Sequence, residues 1–140
     1  MNRAELSKKN KYYISKYRYY ELKYFCLQYF DYKRKSKSFD GYTKTNTNCI
    51  HTCEISNPTE RCVESRENYI FKMQLIEHAA AMTDPILKDY ILIGVTSNLS
   101  YEKLKARTNI PSSKGLYYEL YHKFFYMLHL LLSAKVHILS

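Results

Sequence analysis

Cys49, His51, Cys53 and Cys62 fall within fourteen residues and offer four side chains of the kinds that close a tetrahedral zinc site. Their spacing, C-x-H-x-C-x8-C, lacks the paired two-residue steps of zinc fingers and ribbons, and Cys62 falls where a helix is expected. The expectation is reduced thiols and no cofactor. Cys26 sits on a predicted helix and is read as a small core residue. His78, His122, His129 and His137 have no cysteine or acid-rich partner in helical register. His122 and His129, seven apart, share a face but make only part of a metal site. The three glycines are isolated, so no phosphate-cradling loop exists, and no serine, histidine and acid arrangement stands out. An enzyme is not expected.

A different chemistry is written between Leu99 and Leu132. Ser100 can cap a helix and Glu102 puts negative charge at its positive end. Leu99, Leu104 and Ile110 would face one core, and Thr108-Asn109 supplies a break where asparagine tolerates a left-handed backbone. Pro111 disfavours helix at Ile110, and Ser112 or Ser113 can cap a second, longer helix. Short helix, turn and long helix are the parts that lay one helix in the major groove of DNA. The predicted contacts to base edges and nearby phosphates are Ser112, Ser113, Lys114, Tyr117 and Tyr118. Lys103, Lys105 and Arg107 would clamp the backbone, and Lys11, Lys16 and Arg18 on the amino-terminal helix would add nonspecific attraction.

Leu99-Ser100-Tyr101-Glu102, Leu104 and Asn109-Ile110 are similar to the fourth region of bacterial sigma factors. That region has a leucine-serine-tyrosine-glutamate start, an aliphatic residue two places on and a later glycine-isoleucine turn. Lys105 stands where a small residue is usual there, and Gly115 falls inside the would-be recognition helix. The whole chain resembles small proteins from phages of Gram-positive bacteria. It does so through Tyr20-Glu21-Leu22-Lys23-Tyr24-Phe25-Cys26-Leu27-Gln28-Tyr29, Asn57-Pro58-Thr59-Glu60-Arg61-Cys62, and Ile110-Pro111 followed by Lys123-Phe124-Phe125-Tyr126. That group has a general likeness to late-gene transcription regulators of the ArpU and RinA type. The resemblance implies a phage-encoded, DNA-binding transcriptional regulator.

Charge supports a polyanionic partner and places it unevenly. Formal net charge is +9 over 140 residues; residues 1–48 hold twelve Lys or Arg against four acids, whereas 49–140 hold ten against nine. Two other readings stay open. One is an inhibitor of a host protein, such as RNA polymerase or an RNA-guided defence nuclease in the manner of an anti-CRISPR, using a tyrosine-rich surface. The other is a single-strand nucleic-acid binder that stacks bases on amino-terminal tyrosines between lysines.

The elements that must position these residues are all helical. A long helix is expected from about Ala4 to Tyr32, with Tyr13, Tyr17, Tyr20, Tyr24 and Leu27 as one packed stripe. A flexible polar linker follows over 33–57. Asn57-Pro58-Thr59-Glu60 opens a second long helix over 58–83, paired with the first as an antiparallel hairpin. Asp84-Pro85 opens a further helix to Thr96 with Leu87, Ile91 and Val95 inward, so 84–140 becomes a sigma-like helix-turn-helix region with a long last helix. The apolar run Phe124 to Ala134 is too short for the roughly twenty residues of a membrane span. It would extend the core or pair two copies as a homodimer. With no secretory signal in the charged first thirty residues, the expected setting is the host cytoplasm, away from membranes.

Overall fold

The computed structural model describes residues 8–38 and 58–139, with side chains over 8–37 and 65–134. Every regular element among them is a helix: α1 (Lys16–Leu27), α2 (Tyr29–Ser38), α3 (Pro58–Thr83), α4 (Lys88–Thr96), α5 (Tyr101–Thr108) and α6 (Lys114–Leu139). They divide into two compact units, residues 8–28 with 75–139, and residues 29–38 with 58–74. No helix among the described residues is long and apolar enough to cross a membrane.

In the first unit, Ser15 starts α1 by accepting a hydrogen bond from the Arg18 amide at 3.2 Å. Asn10 holds the preceding residues in turns, its side chain accepting from the Tyr12 amide at 2.8 Å and its carbonyl from the Tyr13 amide at 3.0 Å. The helix therefore begins well after Ala4 and breaks at Gln28. Its buried side chains are Tyr19, Leu22 and Cys26, not the expected stripe, and Tyr17 and Tyr24 face solvent. With tyrosine at 13, 17, 19, 20 and 24, two stripes of equal period compete. The one containing Leu22 and Cys26 is the one packed inward, with the hydroxyl of its Tyr19 satisfied by that of Tyr121.

α1 packs against α4 and α6. The contact is aromatic: the Tyr19 ring meets Phe125 edge-on at 5.1 Å, and its hydroxyl hydrogen-bonds that of Tyr121 at 2.5 Å. Beside them, Arg18 Nε donates to His129 Nδ1 at 3.0 Å. Cys26 is wholly buried, and burial pushes its thiol far up, so it stays protonated as a packing residue.

Leu75, Ile76, Ala79 and Ala80 bring the last turns of α3 into this core. Asp84 then turns the chain by accepting from the Ile86 and Leu87 amides at 2.8 and 3.2 Å, and α4 follows with Leu87, Ile91 and Val95 buried as expected. On α6, Tyr117, Tyr121, Phe124, Phe125 and Leu128 are buried, the last three contributing roughly 1.5–3 kcal/mol each. Gly94 of α4 is required by this packing: a Cβ there would run into Tyr117 Oη.

In the second unit, α2 carries the chain helically through Ser38, so the first residues of the expected linker are ordered helix. Tyr32 and Tyr69 of α3 stack with centroids 6.1 Å apart, and Lys72 sits over both rings, 5.2 and 5.8 Å from their centroids. The two halves of the expected amino-terminal helix thus serve different units. The start of α3 at Pro58 is as expected; the Asn57 cap and the linker over 39–57 lie outside the described residues.

Two outcomes test this core. Burial first, and the Arg18 charge second, hold His129 below the ordinary value of 6.5, and burial alone does the same to His122. Well above pH 6.5 both imidazoles are neutral in folded and unfolded chains. Below it the unfolded chain takes up protons first, so stability falls with pH until the lowered folded values are passed. Melting temperature should drop as the pH is lowered through the ordinary value of 6.5, and His129→Gln should flatten part of that drop. Gly94→Ala should destabilise by about 1–3 kcal/mol in chemical denaturation, with Gly94→Ala/Tyr117→Phe recovering much of the loss.

Candidate nucleic-acid interface

α5 and α6 are joined through residues 109–113, and each device of this joint follows from a named residue. Ser100 caps α5, accepting from the Lys103 amide at 3.4 Å, and Glu102 lies in its first turn. Asn109 ends it in the left-handed region at φ 54°, with its amide donating to the Lys105 carbonyl at 2.9 Å. Ser113, rather than Ser112, opens α6 by accepting from the Leu116 amide at 3.2 Å. Leu99, Leu104 and Ile110 are each buried, as their spacing predicts.

Two tyrosines brace it. The Tyr101 hydroxyl donates to the Ser112 carbonyl at 2.5 Å, and the Tyr101 amide donates to the Tyr118 hydroxyl at 3.2 Å. Lys105 Nζ donates to the Ile110 carbonyl at 2.9 Å, neutralising a carbonyl of the turn. Lys114 pairs with Glu102 at 2.7 Å across the joint, and that hydrogen bond and charge raise its ammonium above the usual lysine value.

These contacts sort the sequence-predicted residues. Tyr117 is wholly buried against α4, so it is closed to base edges, and the reason is that its position on α6 falls on the core side with Tyr121 and Phe124. Ser112 is half-buried and Ser113 is spent on the cap. Tyr118 is half-buried and braces α5. Arg18 is tied to His129, and its other nitrogen lies 3.8 Å from Glu21, so it docks α1 rather than facing a ligand. Lys103, Lys105, Arg107, Lys114, Lys11 and Lys16 are exposed. Lys11 lies over the Tyr12 ring at 5.0 Å.

The outward side of the first turns of α6 is carried by Gly115, Leu116 and Glu119, with Lys123 half-buried one turn on. Sequence reasoning missed this face because it keyed on tyrosine and lysine type. The spacing of buried Tyr117, Leu120 and Tyr121 would have located it.

The structure also joins two segments that are far apart in sequence. Asn10 and Tyr12, next to exposed Lys8, Lys9 and Lys11, line a cavity of about 400 Å³ with Lys114, Gly115, Tyr118, Glu119 and His122. The basic amino-terminal arm therefore lies at the start of α6. Among the described residues His122 Nε2 is buried without a hydrogen-bond partner, and burial lowers its basicity. The position of α6 also gives the arm's lysines a positive neighbour, the amino end of a 26-residue helix.

Cys49, His51 and Cys53 lie outside the described residues, and Cys62 is placed on α3 by its backbone alone. Among the described residues, no three His, Cys, Asp or Glu side chains gather at metal-binding range. Comparisons with protein-family models, curated proteins and solved structures give no match to this chain.

The brace should be measurable. Tyr101→Phe removes the bond to the Ser112 carbonyl and should cost about 1 kcal/mol in chemical denaturation, with faster amide exchange over residues 110–116.

Proposed function

We propose that this protein binds duplex DNA as a transcriptional regulator, of the kind its resemblance to phage late-gene regulators implies. The observation that carries the reading is the convergence of the basic arm, residues 8–12, on the amino end of α6, beside a rigidly braced α5. Helix and arm on one surface are the parts with which homeodomain-like proteins engage a major groove and its neighbouring minor groove.

In this reading α6 enters the major groove by its outward first turns. Leu116 offers an apolar contact to a thymine methyl, and Glu119 accepts from a cytosine amino group. Gly115, where a Cβ would meet nothing within 4 Å, lets the groove wall approach the helix. Lys103 and Arg107 on α5 hold phosphates, and exposed Lys114, positioned by its pairing with Glu102, adds a third contact. Lys8, Lys9 and Lys11 follow the adjacent backbone. Tyr117, buried in the core, and Arg18, tied to His129, have no place in it.

The test is selection of a preferred duplex from a random pool, then fluorescence anisotropy across a salt series. Affinity should fall steeply with salt, and Lys103→Ala/Arg107→Ala should reduce the salt slope by about 2 without changing the preferred sequence. Glu119→Ala should relax preference at one base pair, costing about 1–3 kcal/mol there. A pool that yields no preferred duplex, or binding indifferent to salt, sinks the reading.

A further inference from the structure

α1 turns its largest exposed rings away from the core. Tyr17 is 81 % and Tyr24 58 % exposed, and Tyr20 is half-buried between them. The opposite side of the helix is fixed by Tyr19, Leu22 and Cys26, by the Tyr19–Tyr121 hydroxyl pair and by Arg18 on His129. An outward aromatic face on a clamped helix is a rigid platform.

Its ring geometry is specific. Tyr20 and Tyr24 lie 26° from parallel with centroids 6.5 Å apart, close to twice the ~3.4 Å repeat of stacked bases. From Tyr17 to Tyr24 the helix advances about 10 Å, roughly three such repeats. Charge points to a polyanion. Lys23 Nζ lies 6.0 Å from the Tyr20 centroid, and exposed Lys16 stands one helical turn before Tyr20. Glu21, the acid of this face, has Arg18 at 3.8 Å to offset it. Protein interfaces are depleted of lysine at their centres, whereas single-strand binders alternate cations with aromatic rings.

We propose that the Tyr17, Tyr20 and Tyr24 face of α1 is a stacking platform for single-stranded nucleic acid. Bases lie against the rings in a sequence-tolerant way, with Lys16 and Lys23 along the phosphates. This surface is on α1 and uses no residue of the duplex-reading turns of α6, so the two sites are separable.

The test is anisotropy with single-stranded dT and dA oligonucleotides, an abasic oligonucleotide of equal charge, and the duplex selected as above. Tyr17→Ala/Tyr24→Ala changes only exposed side chains and should weaken single-strand binding by about tenfold or more. The duplex affinity should stay unchanged, and Tyr17→Phe/Tyr24→Phe should retain single-strand binding. The abasic strand should bind the wild type about as weakly as the normal strand binds the alanine variant. Equal binding of abasic and normal strands overturns the platform, and so does an alanine variant that keeps single-strand affinity. If the alanine variant instead abolishes self-association in sedimentation, or a stable protein complex, while oligonucleotide affinity is unmoved, the face is a protein interface and the proposal fails. Wild-type protein that binds the single strands with the expected tyrosine dependence but binds no duplex would sink the duplex reading alone.

Discussion

The first unit is organised around the closeness of Tyr117 to the backbone of Gly94. Only a residue without a side chain lets the phenol of α6 reach across α4, and that approach sets how near the two helices can lie. Leu104 of α5 lies within van der Waals range of the same point, so three helices are fixed at once. The start of α6, and with it the turn through Ser112, inherits its position from this contact. Any ligand met by the first turns of α6 is met by a surface that has little freedom to adapt.

Rigidity of this kind is bought with polar groups that sequence inspection assigns to solvent. Lys105 caps a turn carbonyl, Lys114 is tethered to Glu102, Tyr118 receives an amide proton and Arg18 serves an imidazole. Residue type alone marks all four as ligand-facing. Their geometry makes two of them, Tyr118 and Arg18, half-buried struts. The exposed pair still displays its charge, since a lysine engaged by one oxygen keeps donors for another.

The local grammar of the carboxyl-terminal half was legible because single residues decide it. Ser100 as a cap, Asn109 in the left-handed region, Ser113 as the next cap and the buried triad Leu99, Leu104 and Ile110 follow from short-range chemistry that needs no knowledge of the rest of the fold. The amino-terminal half was not. Its tyrosines occupy nearly every face of the helix, so periodicity has no unique solution, and the choice falls to contacts with residues more than a hundred positions away, such as Tyr121. The meeting of the arm with α6 is invisible for the same reason. Which side of α6 faces outward was within reach, since burial at 117, 120, 121 and 124 repeats at helical spacing, but tyrosine, apolar and polar at once, hides that pattern.

A core built on tyrosine where phenylalanine would pack equally well has an effect on folding fidelity. Aliphatic and phenyl surfaces slide past one another at small cost, so helices joined only by them can settle one residue out of step. The hydroxyls of Tyr19 and Tyr121 meet end to end inside the protein, and a displaced helix would leave each of them dry and unmatched. The phenol pair thus acts as a key: it admits one alignment of α1 on α6 and penalises its near neighbours, giving the assembly a single ground state rather than a family of shifted ones.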